Sequence, residues 1–454
     1  MNDTIAAIST AFGEAAIAVL RLSGARAVEI ARAVFRGKKS ALKLTPRVAR
    51  FGSIFDGDTR LDDVLLTVFR APASFTGEDV VEISCHGGVL VSRRILEVLL
   101  RAGARSAEPG EFTQRAFLNR KLDLTQAEAV MDVISAQTDL ALRAANEQLE
   151  GRLGACIRDL RAAVLDTLAQ VEAYIDFPDE DISPETGAAL RVRIERSLAE
   201  VGALLATAGQ GKVLREGLLT VIFGAPNVGK SSLLNRLLGY ERAIVSKIPG
   251  TTRDVLEETI NVRGIPVRLM DTAGIRDSAD EIEQIGMERT RRALKHADLV
   301  LHVVDASGDA AGLDAKNRAE AETDSLNRER HAELLVLNKA DLGIHASWQL
   351  GGGITVSALT GDGFEKLLDA IEHAAFGGAA KRDWSVAINA RHQTCLERAR
   401  DFLHAALGAF EQSLSPEFVA EELRAAMDAI GDIVGRADTE ELLGVIFGQF
   451  CIGK

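Results

Sequence analysis

Gly224-Ala225-Pro226-Asn227-Val228-Gly229-Lys230-Ser231 follows the apolar run Leu218–Phe223 and precedes Ser232-Leu233-Leu234-Asn235-Arg236-Leu237-Leu238, a stretch of helical pattern. The octapeptide fits G-x-x-x-x-G-K-[ST] in the strand–loop–helix setting that a phosphate-binding loop requires. Glycines let backbone N–H groups close on phosphate oxygens, and the helix N-terminus adds partial positive charge. The loop therefore predicts a phosphate cradle from Asn227, Val228, Gly229 and Ser232. Lys230 is expected to reach the β- and γ-phosphates, and the Ser231 hydroxyl to ligate Mg2+.

Three tetrapeptide-scale signals follow, each at a strand end. Asp271-Thr272-Ala273-Gly274 comes after Val267–Met270; its carboxylate can hold the metal through water and its glycine N–H can meet the γ-phosphate. Asn338-Lys339-Ala340-Asp341 comes after Leu334–Leu337, and the Asp341 carboxylate can accept guanine N1–H and the N2 amino group, which adenine does not offer. Ser357-Ala358-Leu359 comes after Ile354–Val356, where a backbone N–H can donate to guanine O6. In this order the four signals specify a GTP/GDP site and a GTP hydrolase. The alternation of strands and helices from Leu218 to about Phe376 predicts a Ras-like, doubly wound, mostly parallel sheet. The stretch resembles the translation-factor-type GTPases.

Catalysis departs from the Ras pattern. The glutamine that orients water after DxxG in Ras is replaced by Ile275, which cannot polarise water. The segment Ser246-Lys247-Ile248-Pro249-Gly250-Thr251-Thr252-Arg253-Asp254 offers Thr252 as a second Mg2+ ligand. Its Gly-Thr-Thr turn and Asn227 can together hold a monovalent cation, or Asn227 can simply stabilise the loop. The charged stretch Gly274–Gly286, with Arg276 and Glu283, can position water after rearrangement or be a solvated switch loop.

The chain has 454 residues, about three domains' worth. Lys plus Arg number 53 and Asp plus Glu 66, a net charge of −13, and aromatic residues are 5%. That balance argues against an autonomous nucleic-acid binder and against a base-stacking platform. The four cysteines form no CxxC pair and read as reduced thiols of a cytoplasmic protein; neither a signal peptide nor a membrane span is expected.

The front of the chain reads as a small α+β domain, with strands Ala16–Leu22, Val64–Phe69 and Val80–Ser84 and a helix Val89–Leu100. Thr125 and Glu128 read as a capping box opening a helical pattern that runs to Leu149. A second helix runs from Leu153 to Tyr174 and a third begins at Ser183-Pro184. After Gly377-Gly378-Ala379-Ala380 the chain is helical again over Ala390–Glu411, Glu417–Val434 and Glu440–Phe447. The expected layout is an α+β domain at 1–120, a helical domain at 121–216 and 379–454, and a GTPase domain at 217–378 inserted into it.

The ending Phe450-Cys451-Ile452-Gly453-Lys454 joins three front-domain strings: Phe75-Thr76-Gly77-Glu78-Asp79, His86-Gly87-Gly88 and Pro109-Gly110-Glu111-Phe112. With these, the whole chain resembles the MnmE (TrmE) family of tRNA-modification GTPases. The resemblance implies formation of an aminomethyl or carboxymethylaminomethyl group at C5 of the tRNA wobble uridine, with an FAD-binding partner, MnmG (GidA), in a heterotetramer or larger assembly. It implies a homodimer through the N-terminal domain, which binds 5-formyl- or 5,10-methylene-tetrahydrofolate. By motif position it implies folate contacts at Arg21, Glu82, Lys121 and Lys454, K+ ligands at Asn227, Ser246, Ile248 and Thr251, and a water-orienting Glu283 with Arg276 beside it. GTP hydrolysis is then expected to depend on K+ and on contact between two GTPase domains.

Each carried-over role has a plainer rival. Arg21 and Glu82 can be an ordinary surface ion pair. Cys451 can be a catalytic thiol or a packed one, since Ile446, Phe447, Phe450 and Ile452 surround it. His86 reads as structural. The segment Ala11-Phe12-Gly13-Glu14 departs from the family's Pro-Pro-Gly. The alternative readings are a ribosome-assembly GTPase and a nucleotide-gated scaffold; the acidic charge and the lack of a basic RNA-binding domain count against the first.

Overall fold

The computed structural model describes residues 3–37, 45–176, 184–240, 257–271, 293–309, 332–348, 352–376, 386–435, 440–448 and 450–454. The chain divides into two compact units. One comprises Met1–Met131, Gly154–Asp159 and Ile430–Lys454, the other Asp132–Leu153 and Leu160–Ala429.

The first unit is built on strands β1 (Ile5–Ile8), β2 (Ile17–Ser23), β3 (Phe35–Gly37), β4 (Arg50–Asp56), β5 (Thr59–Phe69), β6 (Val80–His86) and β7 (Arg105–Ser106). They form one sheet in the order β3-β4-β5-β6-β2-β1-β7, antiparallel except for the β1–β7 pair. Ala18, Leu20 and Leu22 of β2 share a core with Val64, Leu66 and Val68 of β5. That face is covered by helices Ala27–Val34 and Val89–Arg101, which contribute Ile30, Ala31, Ile95 and Leu99. The period-2 alternation of side chains leaves the neighbouring residues on the other face, where Arg21 stands opposite Glu82 in register.

Part of this unit comes from the end of the chain. Phe447 and Phe450 pack with rings 5.3 Å apart against Phe117, Leu124 and Ala127. Ile452 bridges Pro109, and Phe112 N donates to Lys454 O at 3.1 Å.

The second unit contains a six-stranded sheet, β13-β12-β11-β8-β10-β9. Its strands are β8 (Leu218–Phe223), β9 (Glu257–Val262), β10 (Ile265–Asp271), β11 (Leu299–Asp305), β12 (Ala332–Asn338) and β13 (Ile354–Thr355). All pairs are parallel except the β9–β10 hairpin. Central strands are apolar on both faces because both are covered. Leu301 and Val303 face a core shared with Leu233, Leu237, Leu367 and Ile371, while Val300 joins Val221, Ala293 and Ala297 on the opposite side. Helical segments flank the sheet in sequence on both sides, as expected of an inserted GTPase block. Helix Ala208–Glu216 leads directly into β8, and helix Ala390–Glu411 packs on Pro184–Leu205.

Several local readings need correction. The capping box lies two residues earlier than read: Asp123 Oδ1 accepts from Gln126 N and Gln126 Oε1 accepts from Asp123 N, both at 3.0 Å. Thr125 instead donates its hydroxyl to Asp123 at 2.6 Å. The continuous helix read through to Leu149 is broken into Leu124–Ser135 and Asp139–Leu149. Thr138 is extended there, and its hydroxyl caps the second helix by accepting from Ala141 N. The strands β1, β3, β4, β7 and β9 and the helices Ala27–Val34, Glu111–Leu118 and Ala208–Glu216 were not anticipated.

Candidate functional site

The nucleotide signals converge at the C-terminal ends of the parallel strands. β8 runs between β10 and β11, so its following loop lies where helical connections leave for opposite faces, the usual ligand position in such sheets. Asn227 adopts φ 67° and Gly229 φ 95°. A Cβ on Gly229 would lie 2.3 Å from Asn338 Nδ2, so the close approach of the two loops requires glycine there. Among the described residues no acceptor is paired with the N–H groups of Asn227, Val228 or Gly229, a donor array suited to phosphate oxygens. Lys230 is buried, and its ammonium group donates to Ala225 O at 2.7 Å, inside the curl of the loop. Ser231 and Ser232 are exposed at the start of helix Lys230–Tyr240.

Asn338 joins this loop to the Ser357-Ala358-Leu359 turn. Its side chain is buried; Nδ2 donates to Val228 O at 2.8 Å, and Oδ1 accepts from Ala358 N at 3.0 Å. Ala358 N–H is therefore already engaged, and the next N–H in the turn, that of Leu359, donates to no described acceptor. Asp341 lies in the short 3-10 helix Ala340–Leu342, where its Oδ1 accepts from the Ser357 hydroxyl at 2.6 Å. Lys339, at φ 64°, pairs with Asp305 at 2.7 Å. Burial raises the Asp305 pKa, but hydrogen bonds from Lys339 and Ser307 outweigh it and hold the carboxyl below its ordinary value.

Asp271 ends β10, and its side chain lies outside the described residues. Thr272, Ala273, Gly274, Ser246, Ile248, Thr251, Thr252, Arg276 and Glu283 also lie outside them. Asp305 and Arg236, whose contacts hold this site together, were missed from sequence. Their partners lie 34 and more than 120 residues away.

A second constellation occupies the first unit. Arg21 grips Glu82 Oε1 through Nε at 3.1 Å and Nη2 at 2.8 Å. The Phe75 and Phe112 rings lie 5.5 and 5.8 Å from its guanidinium carbon. Phe112 is also the residue whose N–H holds the Lys454 carbonyl, so the chain end is tied to the wall of the Arg21 site. Lys121 bonds Pro72 O at 3.1 Å, and among the described residues no bond joins it to Arg21 or Glu82.

The scaffold behind these groups is a buried ion network. Arg115, 1% exposed, meets Asp3 at 2.8 Å, Glu111 at 2.9 Å and Glu78 at 3.1 Å. Glu78 accepts from Ser23, which bonds Thr76. Burial raises the Glu111 pKa, yet hydrogen bonds from Arg105, Glu108 N and Arg115 hold it below its ordinary value. The strings Phe75–Asp79 and Pro109–Phe112 are thus the two loops this network clamps. His86 pairs with Asp62 at 2.7 Å, a structural contact. Cys451 is exposed, not packed as its apolar neighbours suggested. Cys85, by contrast, is buried in the sheet core, and desolvation pushes its thiol up to about 11.

A parallel sheet bearing a phosphate loop after its central strand, with an asparagine-lysine-aspartate segment beside it, defines a P-loop GTPase. The family relationship follows from comparison. Residues 4–121 match the family described as GTP-binding protein TrmE N-terminus, and residues 124–451 match the MnmE helical domain. The tRNA modification GTPase MnmE of Akkermansia muciniphila is 50% identical over 454 residues, covering 99% of both chains. That of Bacillus subtilis is 44% identical over 465 residues, covering all of both. Among solved structures, the FeoB G-domain of Methanococcus jannaschii is 28% identical, covers 34% of this chain and 96% of that one, and has a TM-score of 0.25. The chain belongs to the MnmE (TrmE) family.

Among the described residues no helix is long and apolar enough to cross a membrane.

Proposed function

We propose that this chain is the GTP-hydrolysing component of a tRNA-modifying enzyme. With an FAD-dependent partner it forms the (carboxymethyl)aminomethyl group at C5 of the wobble uridine. The observation that carries the reading is the tie between the chain end and the Arg21 site, through Phe112 and Lys454, in a chain that also holds a GTPase site.

In this reading the N–H groups of residues 227–229 and Lys230 bind the phosphates, and Asp341 and the Leu359 N–H read guanine. Ser231 and Thr252 would hold Mg2+, with Asp271 behind it, and Mg2+ would supply charge neutralisation at the phosphates. Asn227, Ser246, Ile248 and Thr251 would hold K+. The left-handed backbone of Asn227 and its exposed side chain suit that role. Glu283 orients the attacking water in place of the absent glutamine, and Arg276 lies in the same switch. Hydrolysis is fastest when two GTPase domains of a homodimer meet.

Arg21, Glu82, Lys121 and Lys454 bind the tetrahydrofolate one-carbon donor. The Arg21 guanidinium between two aromatic rings and a carboxylate suits a ligand with a flat ring and carboxylate groups. Cys451 is an exposed thiol at the chain end, available to the modification chemistry. The domain limits that fit this division of labour are 1–120, 121–216 with 379–454, and 217–378.

The test is GTP turnover in K+ and in Na+ with the native chain and Glu283→Ala. Faster turnover in K+, lost in the variant, is expected. Equal rates in both salts with no effect of the substitution would refute the mechanism. Unmodified wobble uridine should accumulate in tRNA from cells lacking the gene.

A further inference from the structure

We infer that Arg236 is a positioning residue for guanine recognition, acting from the phosphate-binding helix on the turn that reads the base. The inference rests on the assignment of Ser357-Ala358-Leu359 as the guanine turn. Arg236 sits in the second turn of helix Lys230–Tyr240. Its Nη1 donates to Leu359 O and its Nη2 to Thr360 O, both at 3.0 Å. Its guanidinium carbon lies 6.0 Å from the centre of the buried Phe364 ring.

These bonds hold one side of the turn. Asn338 holds the other by accepting from Ala358 N. The Leu359 N–H lies between the two clamps, in a residue 79% exposed and with no described acceptor of its own. A free loop would sample many peptide orientations; one clamped on both sides presents its N–H in a fixed direction at no ordering cost on binding. The turn is shaped around the guanidinium. Gly361 adopts φ 95°, and a Cβ there would lie 1.9 Å from Arg236 Nη2. The planar two-donor fork matches two successive carbonyls, which a lysine cannot reproduce.

The consequence is specific to the O6 edge of the base. Losing Arg236 should weaken any nucleotide that uses the Leu359 N–H and spare one that lacks O6. The experiment uses the full chain with Arg236→Met, which keeps a long side chain but removes both donors, and Arg236→Lys. Dissociation constants are measured for GDP and for 2-aminopurine riboside diphosphate, which keeps the N2 amino group and lacks O6. Arg236→Met should raise the GDP constant about tenfold and the 2-aminopurine constant by less than about twofold. Arg236→Lys should fall between the native chain and Arg236→Met. An equal loss for both nucleotides would show a general effect on the fold or the phosphate loop and would overturn the inference, as would no loss. A native chain that does not prefer GDP over the analogue would instead remove the guanine assignment itself.

Discussion

Asn338 offers the sharpest test of how the nucleotide site is assembled. Its side chain is 1% exposed and spends its whole amide on two loops: Nδ2 on Val228 O and Oδ1 on Ala358 N. Replacing it with alanine removes two buried hydrogen bonds, each worth about 1 kcal/mol net, and strands a carbonyl and an N–H in a dry place. The expected loss of folding stability is about 3 kcal/mol. Because the same bonds align the phosphate loop with the Ser357–Leu359 turn, GDP affinity should fall by at least about tenfold if that turn contacts the base. Asn338→Asp separates the two bonds. Its carboxylate still accepts from Ala358 N, but when ionised it sets an oxygen against Val228 O. Burial and that oxygen both raise the folded-state pKa of the new carboxyl above its unfolded value of about 3.9. A raised folded pKa means the stability is present at low pH and is lost as pH rises through that value, because only the neutral acid restores a donor. Urea denaturation should find Asn338→Asp closer to the native chain at about pH 5 than at about pH 8, while Asn338→Ala shows no such gain relative to native. If Asn338→Ala unfolds within about 0.5 kcal/mol of native and binds GDP normally, the two-loop clamp is not what assembles the site.

Three further outcomes are expected. Glu111→Gln should cost about 3 kcal/mol by leaving Arg105 and Arg115 short of a buried carboxylate. Since the folded pKa of Glu111 is held low, its contribution is full above about 4.3 and lost as pH falls, so acid denaturation of the variant should be shallower than that of the native chain. Asp305→Asn keeps an acceptor for Ser307 N but removes the carboxylate from Lys339. The pair is partly exposed, so denaturation should register no more than about 1 kcal/mol, while GDP release should quicken a few-fold in stopped-flow fluorescence. Phe450→Ala should destabilise the first unit by about 3 kcal/mol, since the ring is 7% exposed and packs on Phe447; a change below about 1 kcal/mol in calorimetry would show that the chain end is not part of that core.

The GTPase block was legible because its signals are local and ordered. Leu218–Phe223, Ala390–Glu411 and Glu440–Phe447 have the bounds their apolar patterns announced. What escaped has physical reasons. In β9 the buried residues Ile260 and Val262 are carried by a polar strand that needs β10 to pair with, and that pairing is a tertiary fact. β1 is only four residues long and apolar throughout, so it shows no period to read. The capping box was read at Thr125 and Glu128, but Asp123 and Gln126 have the same spacing two residues earlier, and the structure gives the role to them. Cys451 looked packed because its neighbours are apolar. Main-chain bonds to Pro109, Gly110 and Phe112 set the orientation of the tail, and they leave Cys451 and Ile452 exposed while Phe450 goes in.

The same logic sharpens the meaning of the net charge of −13. A nucleic-acid surface works by releasing counterions from phosphates onto unpaired cations. In the first unit the arginines are largely committed to carboxylates of the same chain. Arg26 pairs with Glu29, Arg70 with Asp79, Arg94 and Arg101 with Asp56, and Arg105 with Asp3 and Glu111. In the second, Arg191 meets Glu195 and Glu411, Arg424 meets Glu172, and Arg263 meets Glu365, Asp369 and Glu372. A cation already neutralised by its own chain gains little from a phosphate, because the carboxylate it leaves must be resolvated and then repels the RNA. This pattern supports a division of labour in which a partner surface holds most of the tRNA. The chain itself would contribute the nucleotide switch and the Arg21 site. It also sets a measurable expectation: alone, this protein should bind tRNA weakly and with a shallow salt dependence, and a steep slope of several released ions would refute the division.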